Sequence, residues 1–297
     1  MLLGSIEAGG TKFVCAVGDE NYNIKDIIKI PTTTPAETLK KCVDYFKQFP
    51  EMAALSISSF GPIEIRKDAD KYGYIADTPK KNWSNTNFLG VMKDNFDIPM
   101  YWTSDVNGSA YGEYMNSIAN HNPTRSLVYF TFGTGVGAGI VNNGEFIGYE
   151  GHPEVGHVKL KRAKNDEYFE GICPYHKDCL EGLASGPTFE KRVGKNGKDV
   201  PITDPVWDIM AYYIAQAVIQ ATLFIRPEKV VLGGGVISEP FLDKIREQFD
   251  KLFNHYLEVD DLKHYIVMPT VEDNGSATLG NFALAIKQYY KENIVKL

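Results

Sequence analysis

The sequence predicts an α/β protein of two related halves, in which each half builds a mixed sheet around a glycine-rich hairpin. The first hairpin contains Glu7, Ala8 and the turn at residues 9–12, and an apolar stretch follows it. In the second, the apolar segment 129–132 runs into a turn at residues 133–139. Glycine lets backbone N–H groups approach an anion closely. A duplicated turn of this kind therefore indicates binding of a nucleoside triphosphate and phosphoryl transfer.

Signals for helices and strands fill the first half in order, and the clearest is the helix that begins after Thr34. Thr34 is a good N-cap, Pro35 suits the first helical position, and Glu37 completes a capping box. The other elements expected in this half are strands near 24–30, 53–57 and 100–102 and helices near 86–96 and 106–115.

The second half repeats this order after its own hairpin. An irregular segment at residues 144–178 carries most of the histidines and cysteines. A third glycine cluster, at 233–235, connects a buried strand to a predicted helix. The N-terminus of that helix would face a nucleotide phosphate or ribose. In such folds ligands lie at the carboxyl ends of strands, here in the crevice between the halves. The other elements expected are helices near 204–224, 240–256 and 276–290 and strands near 229–232 and 265–268. We expect an N-terminal domain at residues 1–117 and a C-terminal domain at 118–297.

Length and composition narrow the class of protein. The 297 residues allow two domains with a core each, and the apolar content of 43% and charged content of 23% are those of a soluble globular protein. The net charge of −7 argues against nucleic acids and anionic membranes as partners. The chain has no run of about 18 apolar residues, and its first residues lead into a strand rather than a signal peptide. We therefore expect a cytoplasmic enzyme that binds small molecules.

Asp105 is the candidate general base. It follows a predicted strand, and a phosphotransferase needs a carboxylate that accepts the proton of the attacking hydroxyl. The alternative interpretation is that Asp105 caps the helix expected to begin at Val106, a role that suits aspartate. Both roles are compatible with each other.

Two histidines and two cysteines form a candidate zinc site: His157, Cys173, His176 and Cys179. Two thiolates and two imidazoles suit tetrahedral Zn²⁺, and four protein ligands would leave no open position, so the role would be structural. The spacing alone leaves other interpretations open, namely ordinary loop thiols or a disulfide, which a cytoplasmic location disfavours. His152 is a possible substitute ligand. Cys15 and Cys42 lie on apolar faces and are expected in the core.

Separated motifs along nearly the whole chain resemble those of the ROK sugar kinases, which share the ASKHA fold of actin and hexokinase. The motifs are residues 7–12, 133–139, 154–157 (Glu-Val-Gly-His) and 179–182 (Cys-Leu-Glu-Gly). Within this family the chain is most similar to the bacterial fructokinases, because of Glu at position 7, a stretch with Tyr72-Gly73, Thr78-Pro79-Lys80 and Trp83, and the loop 173–179. The resemblance implies transfer of phosphate from ATP, with Mg²⁺ on its β- and γ-phosphates, to a hexose hydroxyl.

The resemblance also implies roles for particular residues. Asp105 matches the catalytic base, and the two cysteines and two histidines match a structural zinc site. The residues implied in sugar binding are Gly61, Pro62, Ser104, Asn107, Glu154, His157 and Glu181. The residues implied in nucleotide binding are Gly9, Gly10, Thr11, Lys12, Gly133, Thr134, Gly135, Gly186, Pro187, Gly234, Gly235 and Val236. Ser104 stands where members of the family often carry Asn.

Three competing functions stay open from the sequence. A manno- or glucokinase of the same family would carry the same motifs. A sugar-responsive ROK repressor would need a helix-turn-helix ahead of the first hairpin, whereas here the hairpin starts near Gly4. A zinc-stabilised sugar-binding module would leave Asp105 and both turns without a purpose. The resemblance further implies a homodimer, which the aromatic content of 12% supports only weakly.

Overall fold

The structure is a computed structural model that describes residues 1–271 and 275–294. The elements up to residue 119 are β1 (Leu2–Ala8), β2 (Lys12–Asp19), β3 (Ile24–Pro31), α1 (Pro35–Phe46), β4 (Met52–Ser59), β5 (Tyr74–Ile75), β6 (Thr86–Asn87), α2 (Phe88–Asn95), β7 (Met100–Ser104) and α3 (Asp105–Ala119). Those that follow are β8 (Ser126–Phe132), β9 (Val136–Asn142), β10 (Glu145–Phe146), α4 (Leu180–Ala184), α5 (Pro187–Val193), α6 (Pro205–Ile225), β11 (Lys229–Gly233), α7 (Glu239–Phe253), α8 (Leu262–Tyr265), β12 (Ile266–Val267) and α9 (Ser276–Ile294).

The chain divides into two compact units. Unit 1 comprises Met1–Pro123, Tyr149–His152 and the described residues from Val271 onward, and unit 2 comprises Thr124–Gly148 and Pro153–Thr270. This differs from the expected division into residues 1–117 and 118–297, because α9 packs in unit 1. No local pattern in the sequence shows that a terminal helix returns to the first sheet.

Unit 1 is built on a five-stranded mixed sheet with strand order β3-β2-β1-β4-β7. β1 pairs with β2 in an antiparallel and with β4 in a parallel arrangement, and β7 is parallel to β4. Apolar side chains alternate along the buried strands, so each sheet face has a core of its own. Ile6 and Phe13 lie in one core with residues of α1 and α2, while Leu3 and Ala16 lie in another with Phe282 of α9.

The expected helix starts are partly confirmed. Thr34 is the N-cap of α1 and its hydroxyl accepts a hydrogen bond from the backbone N–H of Glu37 at 3.4 Å. α3, in contrast, begins at Asp105 rather than Val106, and its N-cap is Ser104. The third glycine cluster does not open a helix directly, since α7 begins only at Glu239, after a turn in which Gly234 has φ +92°.

Asn281 of α9 forms a buried polar network with the sheet of unit 1. Its amide nitrogen donates to Ser5 Oγ at 3.1 Å, to the carbonyl oxygen of Ile6 at 3.0 Å and to Ser58 Oγ at 3.0 Å. Its oxygen accepts from Ser56 Oγ at 3.0 Å. Because buried polar groups without partners are costly, this network holds α9 in one register over β1 and β4.

Glycines let α3 and α9 approach closely. A Cβ on Gly112 would lie 1.8 Å from the carbonyl oxygen of Ser276, and one on Gly280 would lie 2.0 Å from that of Gly108. Side chains of any size are therefore excluded at these positions. The helix that begins with Asp105 is thus packed backbone to backbone against α9.

Unit 2 contains a second five-stranded sheet with strand order β10-β9-β8-β11-β12. β8 and β9 form the antiparallel hairpin that the sequence predicts, and β11 is parallel to β8. Its core includes Met210, Tyr213 and Ile214 of α6, all fully buried. Among the described residues α6 is the one helix long and apolar enough to cross a membrane, with a mean hydropathy of 1.3 and half of that window buried. Burial in the core of unit 2 is the environment of a core helix.

We predict that Asn281→Leu lowers the free energy of unfolding of the protein by several kcal/mol. The substitution leaves the hydroxyls of Ser5 and Ser56 without the buried amide that pairs with them, and each unsatisfied group costs about 1–3 kcal/mol. Asn293→Leu is the matched control, since Asn293 bonds only to the Tyr289 carbonyl of its own helix among its described contacts. Equal urea midpoints for the two variants would contradict this role of Asn281.

Candidate active site

In unit 1 the predicted site segments meet at one edge of the sheet. Ala8 pairs with Ser59 across β1 and β4, and Ser59 pairs with Ser104 across β4 and β7. Parallel strands end at a common edge, so the first glycine turn, the loop with Gly61 and Pro62, and Asp105 all leave the sheet there. The turn itself is closed by a hydrogen bond from the N–H of Gly9 to the carbonyl oxygen of Lys12 at 3.0 Å.

Thr32, the residue after β3, forms two hydrogen bonds with this first turn. Thr32 donates its hydroxyl to the carbonyl oxygen of Gly9 at 2.8 Å and its N–H to that of Thr11 at 3.0 Å. Gly10 has open space where a side chain would be, and Thr11 and Lys12 are exposed at the tip. The turn is thus backed by protein on one side and presents its glycine and polar groups on the other.

Asp105 is a partly buried carboxylate at the N-terminus of α3. Burial raises its pKa to about 6, although the N–H groups of Val106 and Asp105 and the nearby His152 oppose the rise. The Val106 N–H donates to Asp105 Oδ1 at 2.8 Å. A carboxylate with this pKa is ionised at neutral pH but holds a proton more readily than an exposed aspartate, which suits a general base.

Glu7, at the end of β1, is a second titratable group at this edge that sequence reasoning did not include among the site residues. Burial and, to a smaller extent, the charge of Asp105 raise its pKa to about 7, and Lys12 partly offsets both. The charge of Asp105 therefore opposes ionisation of Glu7. An acidic residue directly ahead of the glycine turn was the available signal.

Ser104 and Asn107 serve the internal structure of unit 1. The Ser104 hydroxyl accepts from the Asn107 N–H at 3.3 Å, so Ser104 rather than Asp105 caps the helix. The Asn107 amide nitrogen donates to Thr103 Oγ1 at 3.0 Å and to the carbonyl oxygen of Gly151 at 2.7 Å. Asn107 Oδ1 is buried without a partner among the described residues. Both side chains therefore fix the backbone on either side of Asp105.

In unit 2 the three glycine segments predicted to bind nucleotide lie together. The N–H of Gly186 donates to the carbonyl oxygen of Gly133 at 2.7 Å, and that of Val236 donates to the carbonyl oxygen of Phe132 at 3.0 Å. A Cβ on Gly234 would lie 2.4 Å from the same Phe132 oxygen, so this position requires glycine. The turn at 133–135, the segment with Pro187 and the loop 234–236 thus form one connected surface, with Thr134 exposed at the tip and open space at Gly235.

The predicted sugar-binding motifs of unit 2 both contact β9. Gly156, inside the motif with Glu154 and His157, has its α-carbon so close to Val136 that a Cβ would lie 2.0 Å from the Val136 carbonyl oxygen. Glu181 Oε2 accepts from the Val136 N–H at 3.0 Å. The structure therefore brings Glu154, His157 and Glu181 to the strand that leaves the second turn.

The four predicted metal ligands form a cluster. The possible ligand atoms of His157, Cys173, His176 and Cys179 all lie within 4.8 Å of one another. The nitrogen–sulfur distances are 3.8 Å for Cys173 to each histidine Nδ1 and 3.5 Å for Cys179 to His157 Nδ1. Tetrahedral zinc with its usual bond lengths requires nitrogen–sulfur edges of about 3.6 Å. The residues therefore fit such an ion, and His152 lies in the other unit.

Without a cation the cluster is electrostatically unfavourable for thiolates. Burial and the neighbouring Cys173 raise the pKa of Cys179 to about 11. A bound divalent cation would reverse this preference and deprotonate both thiols. Cys15 and Cys42, by comparison, are buried in the core of unit 1 as expected, with their sulfurs 3.6 Å apart.

A buried ion pair, also absent from the sequence predictions, anchors the irregular segment to the helices of unit 2. Arg192 of α5 donates from Nε and Nη2 to Asp166 at 3.0 and 2.8 Å, and Tyr213 donates its hydroxyl to Asp166 at 2.8 Å. The guanidinium also stacks on the Phe169 ring at 3.8 Å. Nothing in the local sequence marks this pairing, because Asp166 and Arg192 come from separate segments.

The chain is similar to known proteins over nearly its whole length. The chain is 56% identical over 290 residues to a fructokinase of Streptococcus mutans, covering 96% of this chain and 98% of the relative. It is 50% identical over 291 residues to a fructokinase of Lactococcus lactis subsp. cremoris, covering 97% and 98%. A ROK hexokinase from Thermus thermophilus superposes with a TM-score of 0.78 at 19% identity, over 99% of both chains, which shows the two-domain ASKHA fold. The profile of the ROK family matches residues 3–288, and this chain belongs to that family.

Proposed function

We propose that this chain is an ATP-dependent fructokinase that converts D-fructose to D-fructose 6-phosphate. The observation that carries the chemistry is Asp105, a carboxylate of raised pKa at the sheet edge where the first glycine turn also ends. The identity of 50–56% to proteins named fructokinase supports fructose as the acceptor. Fructose and ATP, the latter as its Mg²⁺ complex, are the proposed substrates, and Mg²⁺ neutralises charge on the β- and γ-phosphates.

Asp105 acts as the general base in the proposed reaction. Its carboxylate accepts the proton of the fructose 6-hydroxyl while the oxygen forms a bond to the γ-phosphorus. The bond from that phosphorus to the bridging oxygen breaks, and ADP leaves with the electron pair. Because such transition states are loose, positioning and charge neutralisation supply most of the catalysis. The two glycine turns would supply backbone N–H donors for the phosphates.

The remaining proposed contacts follow the motifs. The residues proposed to contact the hexose hydroxyls are Glu154, His157 and Glu181. The motifs also assign sugar binding to Gly61, Pro62, Ser104 and Asn107. The adenosine side of ATP is held by the segments with Gly186 and Pro187 and with Gly234, Gly235 and Val236. Both segments donate a hydrogen bond to the second glycine turn, Gly186 to Gly133 and Val236 to Phe132, which supports this assignment.

The Cys/His cluster is proposed to bind one structural Zn²⁺. The two thiols and two imidazoles occupy all four positions of a tetrahedral ion, so the ion would order the loop rather than take part in the reaction. We further propose that the enzyme is cytoplasmic and homodimeric. Exposed apolar residues on unit 2, Leu223 and Phe224 at the end of α6 and Tyr256 after α7, are compatible with such an interface.

Fructose should be the best acceptor when ADP release is measured across fructose, mannose and glucose. The expected result is a kcat/KM for fructose above that for either aldose, since the curated relatives at 50–56% identity carry the name fructokinase. A higher kcat/KM for glucose or mannose would make the chain an aldohexose kinase and leave the phosphoryl-transfer assignment intact. Absence of ADP release with every sugar would reject the kinase itself.

Asp105→Asn should lower kcat at least about a hundredfold, because a positioned base contributes about 10²–10⁴-fold, while ATP affinity changes little.

The same substitution should raise the stability of the folded protein at neutral and higher pH. The folded pKa of Asp105 lies above its unfolded value of 3.8, so the contribution of Asp105 to wild-type stability falls as pH rises between about 4 and about 6. The Asn variant avoids this loss, and its melting temperature should exceed that of wild type at pH 8 but not at pH 4.

Asp94→Asn is the matched control for Asp105→Asn, because Asp94 is an exposed aspartate of α2 in the same unit. Its turnover and melting temperature should equal those of wild type at both pH values. Near-normal kcat in Asp105→Asn would remove Asp105 from the mechanism.

Elemental analysis of the purified protein should find about one zinc per chain. Cys179→Ser should lose the metal, because a hydroxyl is a poor zinc ligand and the remaining three residues leave an open position. His264→Ala, at an exposed histidine of unit 2 outside the cluster, should retain it. Full zinc content in Cys179→Ser would reject the ligand set.

A further inference from the structure

The second glycine turn is held by groups outside its own hairpin. Gly186 and Val236 donate backbone N–H groups to the carbonyl oxygens of Gly133 and Phe132, at 2.7 and 3.0 Å. On the opposite strand, the N–H of Val136 donates to Glu181 Oε2 at 3.0 Å. The turn itself contains only glycines and one threonine, so a carboxylate from outside it, that of Glu181, contributes to its conformation.

Gly135 provides the space that the Glu181 carboxylate occupies. A Cβ at this position would lie 2.6 Å from Glu181 Oε2, closer than real Cβ contacts allow. The carboxylate therefore lies against two successive residues of the turn, Gly135 by contact and Val136 by hydrogen bond. Its second oxygen, Oε1, accepts no hydrogen bond among the described contacts of Glu181, and the side chain is only partly buried.

The backbone around Glu181 is fixed on both sides. The N–H of Leu180 donates to the carbonyl oxygen of Val158 at 3.0 Å, and the carbonyl of Gly182 accepts from Ile172 at 3.0 Å. Gly182 packs so tightly that a Cβ would lie 1.8 Å from the carbonyl oxygen of Lys177. Only the side-chain torsions of Glu181 are left to vary, and the bond to Val136 restricts these.

We infer that Glu181 is a positioning residue for the nucleotide: one carboxylate oxygen holds the second glycine turn through Val136, and the other is available to a hexose hydroxyl. The inference rests on the proposed function, because it takes the turn at 133–135 as a phosphate-binding element. A backbone turn binds phosphate well only when its N–H groups are already oriented, so ordering the turn in advance strengthens binding. The same carboxylate then links hexose binding to the order of the turn.

The test measures nucleotide affinity in the absence of sugar, where a role in hexose binding alone has no effect. Calorimetry with a non-hydrolysable ATP analogue should show about tenfold weaker binding for Glu181→Ala, the loss expected for one charge-assisted hydrogen bond. Glu181→Gln keeps an oxygen that can accept from Val136, so its affinity should stay within about threefold of wild type. Glu190→Ala, which removes an exposed carboxylate from α5, is the matched control and should bind normally.

Hydrogen exchange of the Val136 amide gives a readout independent of binding and activity. The exchange should be faster in Glu181→Ala than in wild type and unchanged in Glu190→Ala, with circular dichroism and zinc content confirming that the variant is folded. Unchanged nucleotide affinity together with unchanged Val136 exchange in Glu181→Ala would overturn the inference and leave the fructokinase proposal intact. If the wild type binds no nucleotide, the proposed function fails, and Val136 exchange still decides whether Glu181 holds the turn.

Discussion

Parallel pairing of β1, β4 and β7 is the constraint on which the candidate active site of unit 1 depends. The register aligns Ala8, Ser59 and Ser104, so three segments that are distant in sequence leave the sheet at the same edge. The first glycine turn, the loop at residues 61–62 and Asp105 each follow one of these strands. A slip of one residue in any of them would turn its side chains to the opposite face of the sheet. The buried amide of Asn281 opposes such a slip, because it contacts β1 and β4 at once.

The same edge carries an electrostatic cost that a purely structural sheet would avoid. Burial disfavours ionisation of Asp105, and the charge of Asp105 in turn disfavours that of Glu7. A sheet selected for stability alone would hold neither carboxylate there, whereas a general base needs a pKa close to the working pH. The close packing of α3 on α9 and the saturated network around Asn281 offset this cost elsewhere in unit 1.

Local patterns predicted much of the fold and part of the site. The capping box at Thr34, the glycine hairpins and the Cys/His spacing each act over a few residues, and the structure contains α1, both hairpins and the ligand cluster. Contacts between distant segments left no such pattern. The position of α9 on the first sheet depends on contacts of Asn281 with Ser5 of β1 and with Ser56 and Ser58 of β4, and no periodicity in the sequence indicates these contacts. The sequence left Asp105 open as a possible cap of α3, whereas the cap is Ser104; serine and aspartate cap almost equally well and are adjacent there, so local propensity does not choose between them.

In unit 2 the part of the irregular segment at residues 153–178 has few regular backbone hydrogen bonds, so other interactions must offset the entropy lost in ordering it. The Asp166–Arg192 pair binds its middle, and Gln216 of α6 pairs with both backbone groups of Lys161, at 2.8 and 3.1 Å. A metal ion at the Cys/His cluster would fix its end, where Cys179 directly precedes α4. Glu181 of α4 accepts from the Val136 N–H, so in the proposed holoenzyme the helix that the ion would order also holds the second glycine turn. Loss of a zinc ion bound there would then disturb the turn as well as the loop, although no ligand atom of the cluster belongs to the turn.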